Sequence, residues 1–183
     1  MTIYTRKGDH GKTSLPAKNR KLLKSDPRIC ALGTLDELNA HLGLIASLLG
    51  LEKDSETKEI IESLQKDIFE ISSEIVGLNE ASSSVEGRGF LFRGNKGTEK
   101  IEKLIEGFLR DLPPLGRFIF PGGTVLAAEI HIARAVCRRA EREIVRLGKV
   151  NSGILSYVNR LSDFLFVLAR WVNWKKGVSE KKW

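Results

Sequence analysis

The sequence predicts an all-α protein, a single bundle of five helices that run alternately up and down. Apolar residues recur at helical spacing through most of the 183 residues. Stretches rich in glycine, serine or proline separate these helical patterns. The alternation of strands and helices that would indicate a parallel sheet is not found. A chain of this length can bury a core of its own, so all of it is expected to form one domain.

The first helix is predicted from its N-terminal cap and its apolar face, and the second from its apolar face alone. Asp26 can cap the first helix, and Pro27 suits the first helical position because its missing N–H would be unpaired there anyway. The apolar residues of this helix follow a period close to 3.6: Ile29, Leu32, Leu35, Leu38, Leu42, Ile45 and Leu49. A second helix is expected over residues 55–79, with an apolar face made of Ile60, Ile61, Leu64, Ile68, Ile71 and Ile75.

Three more helices are expected over residues 97–112, 124–147 and 152–175. Residues 80–97 are rich in serine and glycine and are predicted to form a loop. Two consecutive prolines end the third helix, and the turn Phe120–Gly123 precedes the fourth. The expected layout is an irregular N-terminal segment over residues 1–26, the helical bundle over residues 27–175 and a short basic tail over residues 176–183.

Positive charge is concentrated at the start of the chain. The net charge is +7, and residues 1–28 hold eight basic side chains against only Asp9 and Asp26. A local excess of this kind favours an anionic partner, such as a nucleic acid, an acidic surface or a polyphosphate. A solvated tail would have the same composition, and charge alone does not decide between the two.

The segment GDHGKTS, from Gly8 to Ser14, ends like a phosphate-binding P-loop but is not one. Arg6 stands where that motif needs its first glycine, and no strand–helix unit surrounds the segment. Its chemistry still suits phosphate, because the glycines let backbone N–H groups converge on an anion. Charge and hydroxyl donors come from Arg6, Lys7, Lys12, Thr13 and Ser14. The alternative is an exposed tail.

The predicted fourth helix carries a row of three arginines. Arg134, Arg138 and Arg142 are spaced at i, i+4 and i+8, and Glu141 lies within helical reach of Arg138. The opposite stripe is apolar and consists of Ile130, Ala133, Cys137, Ala140 and Ile144. The row is either a solvated charged face or a clamp for a triphosphate that pairs with acids of a neighbouring helix.

The last helix is apolar on nearly every face, which is typical of a buried helix. Asn159 and Asp163 nevertheless lie four residues apart on one line along it. Burying an amide or a carboxylate without a partner is costly. The two residues therefore either lie along a solvent-facing stripe or face a shared polar cavity.

Several classes of function have no support in the sequence. Cys30 and Cys137 are predicted to be reduced thiols in the core, and His10, His41 and His131 match no metal-ligand pattern. The longest apolar run, Phe164–Ala169, is too short to span a bilayer, and no signal-peptide core is present. A cytoplasmic protein without a membrane partner is expected.

Four stretches of the chain together resemble the ATP:cob(I)alamin adenosyltransferases of the PduO type. They are IYTRKGDHGKTSL (Ile3–Leu15), LGTLDELNAHLG (Leu32–Gly43), FIFPGGTVLAAEIHIARAVCRRAERE (Phe118–Glu143) and VNRLSDFLFVLARWVN (Val158–Asn173). They occur in the order of that family and cover almost the whole chain. RRAER followed by NRLSD is far more specific than one glycine-rich segment.

The resemblance implies a ferritin-like five-helix bundle assembled as a homotrimer, with active sites between subunits. It implies ATP and reduced cobalamin as substrates, with Mg²⁺ on the phosphates. The implied ATP-binding residues are Thr5, Arg6, Lys7, Gly8, Thr13, Ser14, Lys24, Arg138, Arg139, Glu141, Arg142 and Asn159. Phe118 and Asp163 would face cobalamin, and Asp36 and Arg134 would form a salt bridge between subunits. Arg138, Phe118 and Asn159 would be the catalytic residues.

The resemblance has limits at two places. Many members of the family continue with a glycine-rich stretch after TSL, where this chain has PAKNRKLLKSDPR, so the phosphate-binding lysine is either Lys24 or Lys21. The loop over residues 80–97 carries no motif that can be transferred. A cobalamin reductase and an adenosylcobalamin-dependent enzyme are the implied functional partners.

Two other functions compete with this interpretation. One is a noncatalytic carrier or sensor of the same fold, which would bind ATP or the corrinoid without turnover. The other is a nucleic-acid-binding bundle, suggested by the basic N-terminus. A nucleic-acid partner is not expected, because the sequence lacks a helix-turn-helix and has few aromatic residues among the basic ones.

Overall fold

The computed structural model describes residues 4, 6, 8–15, 21–77, 92 and 94–183. Five helices account for most of them: α1 (Pro27–Leu51), α2 (Ser55–Gly77), α3 (Gly94–Leu109), α4 (Val125–Val145) and α5 (Ser152–Lys175). The all-α prediction is confirmed: α1 starts at the predicted Pro27, and the other four helices begin and end within three residues of their expected positions. The predicted cap of α1 is present, since the Asp26 carboxylate accepts from the Arg28 N–H at 2.9 Å.

Consecutive helices run in opposite directions, so the bundle has two distinct ends. Pairing of Glu37 with Arg139, and of His41 with Glu129, shows that α1 is antiparallel to α4. The helices α3 and α5 are parallel, and their first turns touch at Gly94 and Gly153. A Cβ on Gly94 would lie only 2.4 Å from the Gly153 Cα, so this contact requires glycine. The upper end holds the starts of α1, α3 and α5, and the lower end holds the starts of α2 and α4.

The core lies along the predicted apolar faces, and α5 is its central element. All five residues of the apolar stripe of α4 are fully buried. Fourteen of the 24 residues of α5 are buried, because α5 packs against both α3 and α4. Burying a large apolar side chain contributes roughly 1.5–3 kcal/mol, so Phe164 and Leu165 at the centre of α5 are major contributors to stability.

A small hairpin precedes the bundle and was not predicted. Strands β1 (Lys12–Ser14) and β2 (Lys21–Leu23) pair antiparallel, and the Lys24 N–H donates to the Gly11 carbonyl at 2.9 Å. Three-residue strands are too short for a periodic signal in the sequence. Because α1 starts at the upper end of the bundle, the hairpin is attached at that same end.

The two cysteines differ, which corrects part of the prediction. Cys137 is buried, as expected, and its thiol donates to the Val158 carbonyl at 3.3 Å. The prediction that Cys30 is a core thiol is wrong, since Cys30 is exposed. It lies beside Ala31, which is the residue that α1 turns inward. Among the described helices, none combines the length and apolar character needed to cross a membrane.

The C-terminal segment after α5 is part of the fold, although composition suggested only a basic tail. The Phe120 N–H donates to the Lys181 carbonyl at 2.8 Å, and the Trp183 N–H donates to the Phe118 carbonyl at 2.9 Å. These two bonds flank a bridge between Ile119 and Lys182. The segment therefore adds a short strand to the loop that carries Phe118, at the lower end of the bundle.

Candidate active site

A strip of polar side chains lies along the surface between α4 and α5. The Asn159 Nδ2 donates to the Glu141 Oε1 at 3.0 Å, and the Arg142 guanidinium donates to the Arg138 carbonyl at 3.1 Å. Asn159 and Asp163 are both exposed. In a single chain, the two residues therefore face solvent, as one of the two alternatives expected. They lie on the same surface as the arginine row.

The arginines of α4 divide into two groups by their partners. Within the described part of the chain, neither Arg138 nor Arg142 has a carboxylate within salt-bridge distance, and both are exposed. Arg139, one position along the helix, pairs instead with Glu37 of α1. Among the described residues, the pairing with acids of a neighbouring helix that was expected for the row is therefore not present. Arg139, outside the row, does make such a pair, and Arg138 and Arg142 are left open to an anion.

Arg134 lies at the lower end of the same strip in a less hydrated place. Its Nε is buried and has no hydrogen-bond partner among the described residues, and its guanidinium lies 6.0 Å above the Phe166 ring. Burial and the charge of Arg138 lower the pKa of Arg134. Asp36, its predicted partner, is exposed on α1 and forms no ion pair with a described residue of this chain.

His131 is buried one turn before Arg134, and its Nδ1 lacks a partner in the described structure. Burial and the nearby Arg134 charge lower its pKa to about 4. The ring is therefore neutral at pH 7 and adds no positive charge to the strip.

Asp163 has a partner within its own helix. The Arg160 Nη1 lies 2.8 Å from the Asp163 Oδ2, and the Arg160 Nε lies 3.0 Å from the Glu102 Oε1 of α3. These carboxylates raise the pKa of Arg160. The structure thus holds Asp163 in a three-residue ion-pair network on the surface of the bundle.

The predicted phosphate-binding segment forms a turn over residues 8–11 and then the first strand of the hairpin. Lys24 folds over this turn, and its Nζ would lie 3.7 Å from a Cβ placed on Gly8. Lys21 pairs in register with Ser14 on the neighbouring strand. Thr13 is half-buried and Arg6 is exposed, whereas Thr5 and Lys7 lie outside the described residues. Lys24, rather than Lys21, is therefore the lysine next to the glycine turn.

Phe118 and Trp183 form an apolar surface at the lower end of the bundle. Phe118 is 80% exposed and Trp183 is 79% exposed. Both line a groove of about 550 Å³, together with Leu115, Gly116 and Arg117. Trp183 is not predictable from the sequence, because its only signal is a tryptophan at the end of a basic segment and its neighbour in space, Phe118, is 65 positions away.

A single chain does not bring the predicted site residues together. Phe118 lies before the start of α4, and Arg138 is 14 residues into the helix from its Thr124 cap, a rise of about 20 Å. The hairpin is attached at the upper end of the bundle, nearer to Arg142 than to Phe118. Three groups therefore lie at three heights: the basic hairpin, the polar strip and the apolar groove.

Comparison with known proteins identifies the family. A sequence model of the family described as cobalamin adenosyltransferase matches residues 3–172. The chain belongs to the cobalamin adenosyltransferase family. It is 38% identical over 184 residues to a cobalamin adenosyltransferase of Cupriavidus metallidurans, covering 99% of this chain and 93% of that protein. It is 37% identical to the corrinoid adenosyltransferase PduO of Salmonella typhimurium, covering 93% of this chain and 49% of that protein, so it spans about half of that relative.

The fold is shared with solved members of the cobalamin adenosyltransferase family. A phenylalanine-to-histidine variant of a PduO-type ATP:corrinoid adenosyltransferase from Lactobacillus reuteri, complexed with cobalamin and ATP, superposes with a TM-score of 0.88. The two chains are 33% identical, and the match covers 100% of this chain and 96% of the other. The resemblance read from the four sequence stretches, and the five-helix fold it implied, are confirmed.

Proposed function

We propose that this protein transfers the 5′-deoxyadenosyl group of ATP to the Co(I) centre of reduced cobalamin, giving adenosylcobalamin and triphosphate. The observation that carries the proposal is the pair of exposed guanidiniums, Arg138 and Arg142, beside the hydrogen-bonded Glu141 and Asn159. Two cations that have no carboxylate partner among the described residues, next to fixed acceptors, suit a ligand that is a polyphosphate at one end and a nucleoside at the other.

The proposed reaction needs no nucleophile from the protein, since Co(I) of the substrate attacks the 5′ carbon of ATP and triphosphate leaves. Two groups of this chain that could otherwise act as nucleophiles, Cys137 and Tyr157, are consistent with a reaction in which the protein supplies none. Burial raises the pKa of the Cys137 thiol, and burial with the neighbouring Asp67 raises the pKa of Tyr157. Both groups stay protonated inside the core, so the task left to the protein is to orient the substrates and stabilise charge.

The nucleotide is proposed to bind between the polar strip and an N-terminal hairpin. Arg138 and Arg142 would stabilise the charge that develops on the triphosphate. Asn159 fixes one oxygen of Glu141 at 3.0 Å, which leaves the other oxygen and the Asn159 amide oxygen as acceptors for adenosine. Arg139 would add positive potential while Glu37 holds it in place. The hairpin would contribute Arg6, Gly8, Thr13, Ser14 and Lys24, with Thr5 and Lys7 from the same segment.

A homotrimer with active sites between subunits would unite groups that one chain keeps apart. Phe118 is about 20 Å along α4 from Arg138, so a neighbouring subunit is the proposed source of the missing part of each site. Asp36 and Arg134 support this assembly, because neither has an oppositely charged partner among the described residues of its own chain. Arg134 is half-buried and its Nε is buried without a hydrogen-bond partner among the described residues. An unpaired buried polar group is costly, and the carboxylate of a second subunit would reduce that cost.

The corrinoid is proposed to bind at the lower end, against Phe118. An aromatic side chain that is 80% exposed beside an apolar groove suits a large flat macrocycle. Trp183 extends the same surface. Phe118 would exclude water and a lower axial ligand from cobalt, and Asp163 would lie towards the cobalamin side of the site.

Mg²⁺ is proposed to arrive with the nucleotide. Among the described residues, no three or more His, Cys, Asp and Glu side chains are grouped so as to hold a metal ion. These residues do not fit a magnesium site built by the protein alone, and the cation would instead bridge phosphate oxygens. The activity is proposed for the cytoplasm, with a cobalamin reductase as the source of Co(I) and an adenosylcobalamin-dependent enzyme as the recipient of the product.

The test of this function is spectroscopic. The purified protein is mixed with ATP, Mg²⁺ and chemically reduced cobalamin, and the Co(I) absorption bands are expected to convert to those of the alkylated cofactor over many turnovers. Conversion that stops at one product per site would indicate the carrier alternative. No conversion with ATP, together with no binding of either substrate, would refute the proposal.

The structure favours Lys24 over Lys21 as the phosphate-binding lysine, and alanine variants separate them. Lys24→Ala is expected to weaken ATP binding by about tenfold, because it removes a charge next to the glycine turn. Lys21→Ala is the matched control, because Lys21 starts the strand that ends just before Lys24 and is paired in register with Ser14. It is expected to change the ATP dissociation constant less than about twofold. Calorimetric titration measures both, and a larger effect for Lys21→Ala would reverse the assignment.

A further inference from the structure

We propose that Arg170 and Glu180 form a positioning pair that holds the C-terminal segment against the Phe118 loop and so shapes the corrinoid-binding surface. This inference rests on the proposed function. The C-terminal segment, defined here as residues 176–183, lies beyond the part of the chain that the family model matches, which ends at residue 172.

The first observation is a buried charge at the end of an apolar helix. Arg170 of α5 is 3% exposed. Its Nε lies 2.7 Å from the Glu180 Oε1 and its Nη2 lies 3.3 Å from Oε2, while Nη2 also donates to the Pro113 carbonyl at 2.9 Å. A guanidinium is retained in such a place only when its donors are paired with good geometry. These donors therefore reach both the segment that leads into the Phe118 loop, at Pro113, and the C-terminal segment, at Glu180.

The second observation is that the two segments are also joined by backbone hydrogen bonds. Trp183 and Phe118 are bonded at 2.9 Å, and Phe120 and Lys181 at 2.8 Å. A two-stranded pairing this short is marginal by itself in water. The Arg170–Glu180 pair supplies the additional attachment, three residues before Trp183.

The third observation is that another residue of α5, one turn after Arg170, also binds the Phe118 loop. Asn173 is 4% exposed; its Oδ1 accepts from the Thr124 N–H at 2.9 Å, and its Nδ2 donates to the Gly122 carbonyl at 2.8 Å. A Cβ on Gly123, which has a φ of 105°, would lie 2.3 Å from this amide. The far end of the Phe118 loop is thus fixed independently of Glu180, so loss of Glu180 would release only the C-terminal segment.

The consequence is specific to one substrate. Without the pair, Trp183 would leave the groove and Phe118 would lose the strand that aligns its backbone. The polar strip with Arg138 and Asn159 lies elsewhere on α4 and α5 and would be unaffected. Corrinoid binding would therefore weaken while ATP binding stayed the same.

The test is the variant Glu180→Gln, which keeps the size of the side chain and removes its charge. Its kcat/KM for reduced cobalamin is expected to fall roughly tenfold to a hundredfold, the scale expected when a contact is misplaced by about 1 Å, with KM for ATP unchanged. Hydrogen exchange of the Phe120 and Trp183 amides is expected to accelerate, while the amides of α5 stay protected. Glu180→Asp, which retains the charge, is expected to recover most of the loss.

The matched control is Glu52→Gln, which removes the carboxylate that pairs with Lys176 at 3.1 Å near the same end of α5. It is expected to leave both KM values and both amides unchanged. If Glu180→Gln matches the wild type in kcat/KM for cobalamin, or if it loses ATP and cobalamin binding together with its melting temperature, the positioning role is refuted. If the wild-type protein neither binds nor adenosylates cobalamin, the proposed function fails, and this inference fails with it.

Discussion

Replacing Arg138 with alanine is expected to abolish nearly all adenosyl transfer while the helical bundle stays folded. The guanidinium of Arg138 is exposed and has no carboxylate partner in the described part of the chain, so its removal leaves no buried charge unpaired. Its proposed task is to stabilise the charge of the departing triphosphate. Losing one such donor typically costs about 10²–10³ in kcat, and that factor is the expected loss.

The measurement is the turnover number with saturating ATP and reduced cobalamin, with thermal unfolding as the check on folding. Arg146→Ala is the matched control: an exposed arginine just past the end of α4 that pairs with Glu143 of α4 at 2.9 Å. It is expected to keep activity within about twofold, as surface ion pairs are worth little. Turnover of Arg138→Ala close to that of Arg146→Ala would remove Arg138 from the proposed clamp.

The helices were predictable because their signal is local. Each of the five has an apolar period near 3.6 and a cap or a proline at an end, and each is long enough for that pattern to be read. The polar strip was predictable for the same reason, since spacings of three and four residues on helices fix which side chains are neighbours. Predicting the Asn159–Glu141 contact requires one more assumption, namely that α4 and α5 are adjacent in the bundle.

The remaining features depend on contacts that no local pattern records. The bridge between Ile119 and Lys182 joins positions 63 residues apart through backbone atoms, which carry no residue-type signal. Cys30 was wrongly predicted to be buried, because the preference of cysteine for the core is only an average over many proteins. In this chain α1 turns the neighbouring Ala31 inward, and Cys30 is exposed. Arg170 is a single charge in an apolar helix, and no local pattern shows that the fold places Glu180 beside it.

Replacing Phe118 with alanine is expected to slow adenosyl transfer by roughly a hundredfold while ATP binding stays normal. Its side chain is 80% exposed, so the loss of core packing that makes buried Phe→Ala changes costly does not arise. What is lost is the apolar contact proposed to keep water and a lower ligand from cobalt, and a misplaced or solvated reacting centre costs on the order of 10²-fold. Phe118→Leu, which keeps an apolar side chain, is expected to retain more activity than Phe118→Ala.

Two measurements distinguish this role from a general effect on the protein. The ATP dissociation constant is expected to match the wild type, because Phe118 is proposed to contact the corrinoid and not the nucleotide. The control is Phe69→Ala on α2, which removes a phenylalanine that is 66% exposed and far from the groove, and it should leave transfer unchanged. If instead Phe118→Ala lost ATP affinity and handled cobalamin normally, Phe118 would belong to the nucleotide pocket of a neighbouring subunit, and the apolar groove would need another ligand.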